Sequence, residues 1–121
     1  MVAVLAGNLP RTLMKASDLF SLQGKTVLLT GASGFLGSEM ARSLVENDAK
    51  VILFGRSEKL EALKTELANE FGEAQVDGYT VDMYDTDVLK NTLGEAVAKT
   101  GTVDVLVNNA HEMGPGCGFN Q

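Results

Sequence analysis

From Lys25 onward, apolar and polar positions come in alternating blocks. Residues 26–30 (TVLLT) form a short, nearly continuous apolar run rich in strand formers, the pattern of a strand buried on both faces. Residues 35–46 read as a helix with Leu36, Met40 and Leu44 on one apolar face, broken at Asn47 and Asp48. Residues 51–54 (VILF) make a second strand. Ser57 is the expected cap of a second helix, with Glu58 and Glu61 in its first turn, Leu60, Leu63, Leu67 and Phe71 as its stripe, and Gly72 ending it. Residues 76–81 form a third strand weakened by Gly78. Asp85 or Thr86 caps a third helix with the stripe Leu89, Leu93, Val97, interrupted by Gly94 and closed by Gly101. Residues 103–107 (VDVLV) are the fourth strand. The remainder, NNAHEMGPGCGFNQ, carries three glycines and a proline and reads as loop.

Strands alternating with helices imply a parallel sheet with right-handed crossovers. The expected fold is α/β, a Rossmann-like doubly wound sheet of about four strands in the order 3-2-1-4 with three helices. Residues 1–18 are expected to be a leader or docking segment, and 19–121 a partial dinucleotide-binding domain. The apolar run in MVAVLAGNLP is far too short to span a bilayer and has no basic region before it, so no signal peptide is expected.

Composition narrows the function classes. The 121-residue chain suits one domain, and its formal net charge of -6 argues against a broad surface for nucleic acid or anionic membrane. The single cysteine, Cys117, permits no internal disulfide and fits a reducing, cytoplasmic setting. No metal site is expected.

The chemistry gathers at LTGASGFLG, between the first strand and first helix. Helix N-terminal amides and the helix dipole attract anions, and a phosphate reaches them only where side chains are absent. Gly31 is assigned to the tight turn, Gly34 to close backbone approach and Gly37 to close packing of helix on strand, with Ser33 adding a hydroxyl. Without a ligand this is simply a glycine-rich turn, but its place after a strand and before a helix is the context a dinucleotide site requires. At the end of the second strand, Gly55 stands where an acid would bind a ribose 2′-hydroxyl, and Arg56 and Ser57 follow. Arginine favours a 2′-phosphate, so NADP is preferred over NAD. Asp82, with the Met83 backbone, is a candidate for the adenine, or else an ordinary turn acid.

These segments together resemble the short-chain dehydrogenase/reductase family. The resemblance rests on FSLQGKTVLLTGASGFLG (20–37), VILFGRSEKL (51–60), VDM (81–83) and VDVLVNNA (103–110). It implies an NAD(P) cofactor and hydride transfer to or from a carbonyl or alcohol carbon. It carries cofactor-binding roles to Gly31, Ser33, Gly34, Leu36 and Gly37 in the turn, to Arg56, to Asp82 and Met83, and to Asn108, Asn109 and Ala110; Phe35, inside the turn, and Ser57, beside Arg56, are further cofactor-binding candidates. There are departures. The spacing TGxxGxxG looks like the extended branch acting on nucleotide sugars, whereas NNA belongs to the main branch. The next residue, usually glycine, is His111, which reads as a loop histidine near the cleft or as an acid/base. The family's Ser and Tyr-x-x-x-Lys are missing: Tyr79 is followed four residues on by Met83, and Tyr84 by Val88.

The expectation is therefore the cofactor half of an NAD(P)-linked oxidoreductase, inactive alone, from a longer reductase or a truncated reading frame. A small-molecule carbonyl or alcohol would be engaged only with the C-terminal half present. The alternatives are a nucleotide-sugar epimerase/dehydratase-like fragment and a non-catalytic nucleotide-binding module. An open, apolar fourth strand is expected to give a poorly soluble product or a dimer through that strand.

Overall fold

The computed structural model describes residues 15–111 and, in the chain before them, the backbone of two short strands. Those strands, β1 (Val4–Leu5) and β2 (Leu9–Pro10), pair antiparallel. A short helix, α1 (Ala16–Phe20), follows, so the described chain has four α-helices where three were expected. The extra one straddles the expected boundary at residue 18. It carries no buried residue, and the hydrophobic pattern therefore gave no sign of it.

The remainder alternates as β3 (Thr26–Thr30), α2 (Phe35–Glu46), β4 (Lys50–Gly55), α3 (Lys59–Phe71), a 3-10 turn (Glu73–Gln75), β5 (Val76–Thr80), α4 (Thr86–Thr100) and β6 (Val105–Val107). The four long-range strands form one parallel sheet in the order β5-β4-β3-β6. This is the expected order 3-2-1-4. The ladder at β6 is short, Val105–Val107. Just before it, the Asp104 carboxylate accepts the Thr26 N–H at 2.8 Å while the Asp104 N–H donates to the Thr26 carbonyl at 2.9 Å, so a side chain supplies one of the two bonds there and the strand begins at Val105.

The continuous apolar runs follow from helices on both faces. Val27, Leu29, Val51 and Leu53 point to the layer of α2 and α3, where they pack with Ala41, Val45, Leu60 and Leu67. Leu28, Ile52 and Phe54 point the other way, towards Ala96 of α4, with Tyr79 edge-on to Phe54 at a centroid distance of 5.8 Å. Arg42 of α2 ties the first layer together, pairing with Glu66 and Glu70 of α3 at 2.5 and 2.6 Å.

Two helix stripes differ from expectation. The buried line of α2 is Gly37, Ala41 and Val45, one residue on from Leu36, Met40 and Leu44. Small residues bring this helix close to the sheet, while Met40 and Leu44 pack from the side and Leu36 stands open. On α4, Ala96 is buried and Leu89 packs beside it, but Leu93 and Val97 are 40% and 39% exposed. Each i+4 step turns about 40° around a helix, whereas i+7 returns within about 20°, so Leu89 and Ala96 share the core line and Val97 has rotated off it.

Ser57 is not the helix cap. Glu58 occupies that position, and the Ser57 hydroxyl instead accepts the Lys59 N–H at 3.2 Å. Asp85 does cap α4, accepting the Val88 N–H at 3.1 Å.

Candidate functional site

The C-terminal ends of β3, β4, β5 and β6 surround a cleft of about 830 Å³. In a parallel sheet these ends carry the loops that open towards ligand, with the crevice where the strand order reverses, here between β3 and β6. Every residue assigned a cofactor role from the sequence lines it: Gly31, Ser33, Gly34, Phe35, Leu36 and Gly37 from the first turn, Arg56 and Ser57 after β4, Asp82 and Met83 after β5, and Asn108, Asn109 and Ala110 after β6. Thr30, Gly55, Tyr84 and His111 complete the lining.

The three glycines of the first turn meet different demands. Gly31 has φ 66°, and a Cβ there would lie 2.8 Å from the Ala110 Cα. A Cβ on Gly37 would fall on the Gly31 carbonyl oxygen and 2.9 Å from its carbon. Both positions are therefore closed to side chains by the fold itself. Gly34 is different: the nearest atom to an added Cβ is the Gly31 oxygen at 3.5 Å, an ordinary contact. Gly34 is also the N-cap of α2, has extended backbone and provides no side-chain cap. The first-turn amides of α2, which an α-helix leaves without internal partners, are carried by residues that line the cleft.

The turn is held by Thr30, which sequence reasoning treated only as the end of a strand. Its hydroxyl, on a residue 2% exposed, accepts the backbone N–H groups of Asn109 and Ala110, each at 3.1 Å, and donates to the Val107 carbonyl at 3.5 Å. The side-chain amide of Asn109 donates to the Gly31 carbonyl at 3.1 Å. Together these bonds fix the loop after β6 against the glycine turn. A buried hydroxyl at the end of an otherwise apolar strand was the available signal.

Across the cleft, Gly55 leaves room for Ser33: a Cβ at Gly55 would stand 3.0 Å from the Ser33 Oγ and 3.2 Å from Leu60. Asp82 accepts the Tyr84 N–H at 3.0 Å, and its carbonyl accepts the Asp85 N–H at 3.2 Å. It thus has the turn-forming role weighed against adenine binding, while still lining the cleft. Tyr84 is 71% exposed at the mouth, and Phe35 is 92% exposed at the start of α2. Among the described residues no cluster of metal-ligating side chains occurs, and no helix is long and apolar enough to cross a membrane.

This sheet order, with a glycine turn at the head of α2 and a cleft across the strand ends, defines a Rossmann-like α/β domain. Comparison with known proteins narrows the class. A family model described as short chain dehydrogenase matches residues 25–116. The 3-oxoacyl-[acyl-carrier-protein] reductase of Rickettsia prowazekii (strain Madrid E) is 38% identical over 92 residues, covering 76% of this chain and 35% of that protein. Among solved structures, the N-domain of a bacterial malonyl-CoA reductase with NADP superposes with a TM-score of 0.71 at 31% identity, over 78% of this chain and 18% of that one. NAD+-bound xylitol dehydrogenase superposes at 0.69 and 27% identity, over 75% and 35%. The chain belongs to the short-chain dehydrogenase/reductase family, and it spans about a third of the length of the curated relatives it matches.

Proposed function

We propose that this chain provides the dinucleotide-binding part of an NAD(P)-dependent oxidoreductase that moves hydride between a nicotinamide and a carbonyl or alcohol carbon. The observation that carries the reading is the uncapped N-terminus of α2, reached through the missing side chain of Gly34 at the floor of the cleft. The pyrophosphate would rest on those amides. Thr30 and Asn109 hold the opposite wall, so the glycine turn stays open without a ligand. When bound, the dinucleotide would supply the hydride chemistry. The residues of this chain would bind and orient it.

Arg56 and Ser57 are the proposed partners of a 2′-phosphate, with Ser33 on the near side of Gly55, which favours NADP. The relatives supply precedents for both cofactors: the malonyl-CoA reductase structure is described with NADP and the xylitol dehydrogenase structure with NAD+. Asp82 and Met83 lie at the proposed adenine end. Neither tyrosine stands four residues before a lysine, so the proton-transfer step of the reaction and the choice of substrate are proposed to lie in sequence equivalent to the rest of the relatives' length. The match to a short chain dehydrogenase model favours this over a nucleotide-sugar epimerase reading of the glycine spacing. A cytoplasmic setting, with assembly through the edge at β6, completes the proposal.

Calorimetric titration with NADPH and NADH tests it. Binding of one or both is expected. Arg56→Ala should weaken NADPH about tenfold or more and NADH little, since a charge-assisted phosphate bond is lost in one case only. If neither dinucleotide binds, the reading of the cleft is wrong. If both weaken equally in Arg56→Ala, the 2′-phosphate assignment is wrong.

A further inference from the structure

Gly55, the last residue of β4, has no positive φ to require a glycine. What keeps a side chain away is space. A Cβ there would stand 3.0 Å from the Ser33 Oγ, 3.2 Å from one methyl carbon of Leu60 and 3.7 Å from the other. The first two are closer than an ordinary van der Waals contact, so a neighbour has to give way. The strand is held on both sides. Gly55 pairs with Thr80 of β5 and Phe54 with Thr30 of β3, while the Gly55 carbonyl accepts the Val81 N–H at 2.9 Å. The Phe54 carbonyl accepts the Ala32 N–H at 3.1 Å, which also holds the glycine turn against the end of β4, one residue from Ser33. Leu60 is buried in the core. Ser33 is half-buried and lines the cleft, so its hydroxyl is the group that a side chain at position 55 would displace.

We propose that Ser33 is a specificity-determining residue: its hydroxyl occupies the space that a side chain at position 55 would need, and so bars the acid that reads a free ribose 2′-hydroxyl at the end of a second strand. The inference rests on the dinucleotide reading above and deepens it. Discrimination between the two dinucleotides then has two parts on two different turns. Arg56, after β4, offers its charge to a 2′-phosphate. Ser33, in the glycine turn after β3, closes the position from which a carboxylate would grip the ribose diol. The two positions are coupled because they compete for one space. An acid placed at 55 with Ser33 unchanged strains the turn, and only removal of the hydroxyl frees the carboxylate to face the ribose.

The experiment is a double-mutant cycle on the 121-residue chain, with Ser33→Ala, Gly55→Asp and the pair, read by thermal unfolding and by calorimetric titration with NADH and NADPH. Ser33→Ala removes the Oγ alone. Gly55→Asp by itself is expected to lower the melting temperature and to bind NADH no better than the wild type. Adding Ser33→Ala should recover part of the lost melting temperature, Leu60 being still in place, and should tighten NADH about tenfold relative to Gly55→Asp alone. A second cycle with Gly55→Ala brings the Cβ without the charge and is read by unfolding, with no ligand; the same partial recovery is expected. Gly55→Asp tightening NADH as much alone as with Ser33→Ala, or melting shifts that simply add in both cycles, would overturn the role of Ser33 while leaving the cleft reading standing. Absence of NADH and NADPH binding by the wild type would overturn both.

Discussion

Asn109 reaches from beyond the end of β6 and donates its side-chain amide to the Gly31 carbonyl oxygen at 3.1 Å. That oxygen is also the atom on which a Gly37 side chain would fall. One peptide group thus meets the sheet's fourth strand on one side and helix α2 on the other. Replacing Asn109 with Ala is expected to cost about 1 kcal/mol, because a half-buried carbonyl loses one of its two donors and keeps only the Gly34 N–H at 3.3 Å. Asn109→Asp should cost more, since a carboxylate cannot donate to a carbonyl. Urea unfolding checks the order. Equal stability of all three proteins would show that the bond contributes nothing.

The glycines of the first turn separate fold from ligand. Gly37→Ala places a methyl group on a backbone oxygen and should destabilise by about 3 kcal/mol or more. Gly34→Ala has room within the protein and should change stability by under about 1 kcal/mol, while weakening dinucleotide binding about tenfold or more. Thermal unfolding paired with calorimetry reads both. A Gly34→Ala variant that binds like the wild type would remove that position from the proposed phosphate site.

Asp48 is the one described residue other than glycine with positive φ, at 70°. It ends α2 with its N–H donating to Val45 at 2.9 Å while the Ala49 N–H donates to Leu44 at 3.1 Å, the paired bonds of a Schellman cap. Glycine suits such a position, so Asp48→Gly is expected to stabilise by about 0.5–1 kcal/mol. A loss of stability in denaturant titration would mean that the carboxylate has a further role.

Lys99 lies at the far end of the sheet from the cleft. The hydrogen bond and charge of Asp77, 2.6 Å away, hold its ammonium above the ordinary lysine value. A raised folded-state value stabilises the fold below the unfolded value of about 10.4, and that contribution disappears as pH climbs through the folded one. The wild-type melting temperature should therefore fall between about pH 10 and 12, and less steeply in Lys99→Met. Parallel slopes for the two proteins would contradict the linkage. Lys50, 3.9 Å from the same carboxylate, remains in both.

Much of this was legible because strands buried on both faces write themselves as unbroken apolar runs. TVLLT and VILF announced β3 and β4, and the glycines that end α3 and α4 marked their limits. What escaped notice was carried by small or polar side chains. Gly37 and Ala41 lie on the buried line of α2 yet add little to a hydrophobic stripe, so the line was read one residue early. Thr30 looked like a strand former, and its hydroxyl became informative only when Asn109 and Ala110, distant in sequence, came to lie beside it. Leu93 and Val97 fitted an i+4 stripe that the turn of the helix carries off the core.

The sheet's two edges are unlike. At β5, buried Asp77 gathers Lys99 and Lys50, and the stem of Lys64 lies over Gly78. At β6, Val105 and Leu106 are 42% and 56% exposed beside a row of backbone donors and acceptors. Charge and a covering side chain discourage another strand, whereas bare apolar residues welcome one. Among the described residues the sheet thus has a polarity across its strands: one border is charged and covered, the other apolar and bare.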